Sequence, residues 1–126
     1  MARIVIADDD PTIVALVRET LEGHEVLDAG NGADGLALVQ AQKPDLVILD
    51  VTMPRLSGTT VCSRIKNDPA TAHIPVILLT GWGTVGDVEE GFAHKADDYV
   101  VKPFQPRALK AKVEGLLAGG TGAKPA

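Results

Sequence analysis

The sequence has a single cysteine, Cys62, which excludes an internal disulfide and any metal site built from several thiolates. It has no apolar run near the roughly 18 residues that a membrane-spanning helix needs. Basic residues are outnumbered: 12 Lys and Arg against 17 Asp and Glu give a formal net charge of −5. Such a chain is a poor holder of phosphate backbones by bulk charge, so direct nucleic-acid binding is not expected. The start, Met1-Ala2-Arg3, leads straight into Ile4-Val5-Ile6-Ala7 and then into acids, too short for a secretory signal, which makes the cytoplasm the expected compartment. The three histidines, His24, His73 and His94, lack metal-ligand spacing. Neither an internal repeat nor a second domain is visible.

What is present suits one globular domain. With 126 residues, 45% apolar and 23% charged, the chain is well above the length, about 80 residues, below which a core needs staples. Short apolar runs alternate with helical patterns. Arg3 to Ala7 reads as a strand. Ile13, Leu16/Val17 and Leu21 then recur at helical spacing, with Pro11 near the helix start and Gly23 at its close. His24 to Ala29 reads as a strand and Ala33 to Gln42 as a helix. Asp45 to Leu49 is a continuous apolar strand of the kind covered on both faces, and Thr59 to Asn67 is helical. Ile74 to Leu79 reads as a strand, Val85, Val88 and Phe92 mark a weaker helix, and Asp98 to Val101 a last strand. Pro106 opens a final helix carrying Leu109, Val113, Leu116 and Leu117 on one face. The expectation is five strands alternating with five helices, a parallel sheet covered on both sides. The domain is expected over residues 1–118, with 119–126 a tail or the start of a linker.

In such sheets, ligands bind outside the carboxyl ends of the strands. There the sequence places Asp8-Asp9-Asp10 after the first strand, Asp50 after the third, Thr80 after the fourth and Lys102-Pro103 after the fifth. Carboxylates brought this close repel and raise one another's pKa unless a cation intervenes. A hard divalent ion, Mg²⁺ or Mn²⁺, held by Asp8, Asp9 and Asp50, is the natural remedy. Lys102 can neutralise a further oxygen, and Thr80 can donate to another. This chemistry suits a phosphoryl group beside a divalent ion, with a carboxylate as nucleophile.

The segments Ile4-Val5-Ile6-Ala7-Asp8-Asp9-Asp10-Pro11, Pro44-Asp45-Leu46-Val47-Ile48-Leu49-Asp50-Val51-Thr52-Met53-Pro54, Val76-Ile77-Leu78-Leu79-Thr80 and Ala96-Asp97-Asp98-Tyr99-Val100-Val101-Lys102-Pro103-Phe104 carry a resemblance. In this order, and at strand ends, they resemble the receiver domain of two-component response regulators over residues 3–118, of the single-domain, chemotaxis-regulator-like kind. The resemblance implies a flavodoxin-like α/β fold, a doubly wound sheet of order 2-1-3-4-5. It implies Asp50 as phosphoacceptor and Mg²⁺ (or Mn²⁺) on Asp8, Asp9, Asp50 and the Thr52 carbonyl. Thr80 and Tyr99 would be the switch pair and Lys102 the phosphoryl counter-ion before a cis bond to Pro103, with Met53, Gly81, Trp82 and Pro103 flanking. The implied partners are a histidine kinase or histidine phosphotransfer protein and an output protein on the face of the fourth helix, fifth strand and fifth helix. The implied assembly is a monomer or a phosphorylation-dependent dimer. No enzyme activity is implied beyond the domain's own phosphorylation and dephosphorylation.

Plainer readings stand beside these. Asp10 suits the N-terminus of the first helix better than a third ligand position. Asp97-Asp98 reads as a solvated turn, Tyr99 alternatively as a half-buried strand aromatic, and Cys62 as a small buried hydrophobe. Gly81-Trp82-Gly83 lacks the Lys-Ser/Thr end of a phosphate loop. Trp82 is either a loop aromatic without a role or a shield over the acyl phosphate, and Lys95 stands where many receivers carry glycine. One rival function is an adaptor independent of phosphorylation. Another is an Asp-nucleophile phosphohydrolase of the haloacid-dehalogenase type, whose Asp-x-Asp-x-Thr pattern Asp8 to Thr12 satisfies. That family's lysine, however, precedes its acidic pair, whereas Lys102 follows Asp97-Asp98.

Overall fold

The computed structural model describes residues 2–81 and 96–118. Trp82, Gly83, the helix expected around Val85, Val88 and Phe92, His94, Lys95 and the tail from Gly119 lie outside the described residues. The elements run β1 (Arg3–Ala7), α1 (Pro11–Thr20), β2 (Glu25–Ala29), α2 (Gly32–Gln42), β3 (Leu46–Asp50), α3 (Gly58–Asn67), β4 (Val76–Thr80), β5 (Asp98–Val101) and a last described helix, here α4 (Pro106–Leu117). All strand pairings are parallel and the sheet order is β2-β1-β3-β4-β5. The expected doubly wound sheet is therefore present, with four helices among the described residues.

Local chemistry sets the helix starts. Asp10 caps α1, its side chain accepting from the Thr12 amide at 2.9 Å, ahead of Pro11, whose missing N–H is harmless in the first turn. Asn31 caps α2 by accepting from the Asp34 amide, and Ser57 caps α3 by accepting from the Thr60 amide. Pro106 opens α4 without a side-chain cap from Gln105. Strand limits move slightly from expectation. β4 begins at Val76 because the Ile74 amide is committed to a turn with the Thr71 carbonyl and Pro75 has no amide to give. His24 stays outside β2, where its Nδ1 accepts from the Ala2 amide at 2.9 Å.

Burial explains the layers. Every residue of β3 and β4 is buried. Their odd and even side chains feed two separate cores, the pattern of a sheet covered on both faces. On one face Ile4, Ile6, Ile48, Ile77 and Leu79 meet Val17 and Leu21 of the α1 end and Leu109, Val113 and Leu116 of α4. On the other, Val5, Val47, Leu49 and Leu78 meet Leu36 and Val39 of α2 and Val61, Cys62 and Ile65 of α3. Cys62 is fully buried, and burial pushes its thiol up to about 12, so it behaves as the small hydrophobe expected.

One expectation is corrected. Asp97 and Asp98 do not form a solvated turn. Asp98 is 7% exposed, and its oxygens accept from Lys112 Nζ at 3.0 and 3.1 Å. Asp97 accepts from the Val76 amide and pairs with Lys66, both at 2.8 Å. Carboxylates this enclosed persist only with such partners. Together they fasten the start of β5, a strand at the sheet edge.

Two stability changes follow. Lys43 ends α2 at φ 44°, ψ 62°, a left-handed conformation that costs an L-residue about 1 kcal/mol. Lys43→Gly is expected to stabilise the fold by about that amount in denaturant titration. The Thr20 hydroxyl oxygen is buried without a hydrogen-bond partner. Thr20→Val keeps the shape and is expected to raise the melting temperature, by about 1 kcal/mol at the transition.

Candidate functional site

The site collects where strands end side by side. Ala7 pairs with Leu49, and Asp50 with Leu79, so Asp8 and Asp50 emerge from adjoining strands. Asp8 is 2% exposed and Asp50 8%, while Asp9 faces solvent. One carboxylate oxygen from each of Asp8, Asp9 and Asp50 lies within 4.8 Å of the others. The Asp10 amide donates to Asp8 Oδ1 at 2.9 Å, which orients that carboxylate.

Lys102 supplies the positive charge. Its Nζ donates to Asp8 Oδ2 at 2.9 Å and lies 3.3 Å from Asp50 Oδ1. The lysine arrives there because β5 pairs with β4 as far as Thr80↔Val101, after which the Lys102 amide donates to the Thr80 carbonyl. The Lys102-Pro103 bond is cis, as the resemblance implies. Thr80 is 1% exposed. Tyr99 is half-buried against the α2/α3 core and borders a groove shared with Phe104, Ala108 and Lys112. Met53 is buried, Thr52 and Pro103 are exposed, and Gly81 borders open space. Trp82 lies outside the described residues.

Electrostatics follow from this crowding. Burial, and then the neighbouring Asp8 charge, push the Asp50 carboxyl above its ordinary value, although Lys102 and the Thr52 amide pull the other way. Burial by itself would lower the Lys102 ammonium. Its hydrogen bond to Asp8 and the negative charges of Asp50 and Asp8 outweigh that, and its pKa rises. The donor set is all oxygen and anionic, open on the Asp9 side, and only partly neutralised by one ammonium. Such a set fits a hard divalent cation of the Mg²⁺ class and not a nitrogen- or sulfur-seeking metal.

Two glycines that pattern reading passed over hold the loop after Asp50. A Cβ on Gly58 would sit 2.1 Å from the Asp50 carbonyl oxygen, and one on Gly32 would sit 1.9 Å from the Leu56 carbonyl oxygen. The starts of α3 and α2 therefore press directly on residues 50–56. The sequence signal was only that Gly58 follows a helix-capping serine, and nothing local reveals what a glycine must clear.

The raised Asp50 pKa has a consequence for stability. A carboxyl whose folded pKa exceeds its unfolded one binds more protons when folded, so it destabilises the fold once ionised and is relieved as pH falls through the folded value. Without divalent cations, Asp50→Asn is expected to melt above the parent at pH 7. The gap should close as pH is lowered towards the ordinary carboxylate range, and parallel melting curves from pH 4 to 8 would check it.

The family model for the response regulator receiver domain matches residues 4–114. The chain is 45% identical over 119 residues to the DNA-binding dual master transcriptional regulator RpaA of Synechocystis sp., which covers 93% of this chain and 49% of that protein. It is 44% identical over 118 residues to the transcriptional regulatory protein AfsQ1 of Streptomyces coelicolor, covering 51% of that protein. The chain thus spans about half the length of these curated relatives. Protein PilH of Pseudomonas aeruginosa is matched end to end, 40% identical over 121 residues, 94% of this chain and 100% of PilH. Among solved structures, a response regulator described as putative from Chloroflexus aurantiacus superposes with a TM-score of 0.89 at 34% identity, covering 93% of this chain and 98% of that one. The chemotaxis response regulator CheY4 of Vibrio cholerae gives 0.84 at 31%, covering 90% and 97%. Because the family match takes in the strand ends that carry Asp8, Asp50, Thr80 and Lys102, the chain belongs to the response regulator receiver domains of two-component systems.

Proposed function

We propose that the domain, residues 1–118, accepts a phosphoryl group on Asp50 from a histidine kinase or histidine phosphotransfer protein and thereby switches its binding to an output partner. The observation that carries this reading is the placement of Lys102 Nζ against both Asp8 and Asp50, 2.9 and 3.3 Å away, beside a third carboxylate. An Asp50 oxygen attacks phosphorus in line, the bond from phosphorus to the histidine nitrogen breaks, and an acyl phosphate forms. Asp8, Asp9, Asp50 and the Thr52 carbonyl would hold Mg²⁺ or Mn²⁺. A cation bound there stabilises negative charge on the transferred group.

The chain's own groups do the rest. The Thr52 amide, already donating to Asp50, steadies the nucleophile. Lys102 is the counter-ion for a phosphoryl oxygen and the Thr80 hydroxyl a donor to another. The new group brings roughly −2 charge and three acceptor oxygens, which draw Thr80 and Lys102 towards it. Tyr99, on the strand paired with β4, turns with Thr80. The output face comprises β5, α4 and the helix expected before β5. Among the described residues no helix is long and apolar enough to cross a membrane. The cytoplasm and a monomer, or a dimer formed on phosphorylation, suit this role, with residues 119–126 a tail or linker.

Asp50→Asn is expected to abolish Mg²⁺-dependent labelling by a small phosphodonor such as acetyl phosphate, because an amide is no nucleophile. Label retained on that variant, or carried by Asp8, would overturn the assignment. An unlabelled parent chain that still binds its partner would favour the adaptor.

A further inference from the structure

Lys66, on the last turn of α3 and eight residues past Gly58, whose backbone approaches Asp50, has a side chain only 9% exposed. Its ammonium is fully used. It donates to the Ile74 carbonyl at 2.6 Å and the Ala72 carbonyl at 3.3 Å, and pairs with Asp97 Oδ2 at 2.8 Å. The same Asp97 oxygen accepts from the Val76 amide at 2.8 Å, and the Asp97 amide donates to the Val76 carbonyl at 2.9 Å. Asp97 is thereby locked to the first residue of β4, immediately before β5 starts at Asp98.

That lock acts beside the Asp98–Lys112 pair and the buried Val100 in setting the register of β5. The strand is four residues long, lies at the sheet edge and, among the described residues, pairs with β4 alone. Because β5 runs parallel to β4, a hairpin turn cannot set this pairing. In a strand, a one-residue slip turns every side chain to the opposite face. Lys102 stands five positions beyond Asp97, roughly 16 Å along an extended chain, where its ammonium must meet Asp8 and Asp50.

We propose that Lys66 is a positioning residue for Lys102: through Asp97 it fixes the register of β5 on β4 and so places the Lys102 ammonium between Asp8 and Asp50. The consequence for phosphoryl transfer rests on the proposed role of Asp50; the placement of Lys102 does not.

The test has one readout for each part. In the metal-free 126-residue chain with ¹⁵N-lysine, the Lys102 ε-ammonium is expected to give a slowly exchanging signal, identified by its loss in Lys102→Met. Folded Lys66→Met should lose that signal and Lys66→Arg should restore it. With acetyl phosphate and Mg²⁺, Lys66→Met should be labelled on the order of ten- to a hundred-fold more slowly, the scale of a misplaced reacting group. The Lys66→Met/Lys102→Met double variant should be no slower than Lys102→Met alone, a non-additivity that general destabilisation would not produce. Should Lys66→Met fail to fold, Asp97→Asn, which keeps an oxygen for the Val76 amide and removes the charge facing Lys66, should show the same losses to a smaller degree. A folded Lys66→Met that keeps the Lys102 signal, or additive rate losses, would overturn the proposal. An unlabelled parent chain would overturn the phosphoacceptor reading alone and leave the ammonium signal to decide the role of Lys66.

Discussion

Asp8 and Asp50 end adjoining parallel strands, are nearly buried, and repel each other. Neither can retreat, because β1 and β3 are enclosed by helices on both faces and their register is set by the core. The repulsion is relieved by Lys102, whose ammonium touches both carboxylates. Burial first, and then the Asp8 charge, still hold the Asp50 carboxyl above its ordinary pKa against the pull of Lys102. A site with unmet negative charge, fixed geometry and one open side is prepared for cations and for groups that bring their own countercharge.

The surrounding backbone keeps that charge in place. The loop after Asp50 is pinned by close approaches at Gly58 and Gly32, where even a methyl group would collide with carbonyl oxygens. The start of α3 therefore packs against Asp50 itself and the start of α2 against Leu56. On the opposite side, Thr80 and Lys102 are joined through the last bonds of the β4–β5 ladder, and Tyr99 sits in the same ladder. Thr80 and Lys102 thus tie the site to β5, the four-residue strand at one edge of the sheet, while β1, β3 and β4 lie within it.

Much of this was legible in the chain. The apolar runs ending in Asp8, Asp50 and Thr80 marked three buried strands, and Pro11 and Pro106 marked helix starts, because burial on both faces and proline's fixed φ leave local signatures. The parallel sheet followed from alternation, and the rule that ligands gather at carboxyl strand ends assigned Asp8, Asp9, Asp50, Thr80 and Lys102 to one edge of the sheet. Asp10 was legible as a cap because capping is local.

What could not be read depended on partners distant in sequence. Asp97 and Asp98 looked solvated because their partners, Lys66 and Lys112, lie in helices that a linear reading does not bring near them. Gly58 and Gly32 looked like ordinary loop and turn residues because the carbonyls they clear belong to other segments. The sequence by itself determined which side chains could do chemistry and roughly where the strands end, since both depend on residue type and short-range periodicity. Only the tertiary structure decided which charges are paired, which carboxyl has a raised pKa and what holds the register of β5. Those are set by distances and burial between elements, and no local pattern encodes them.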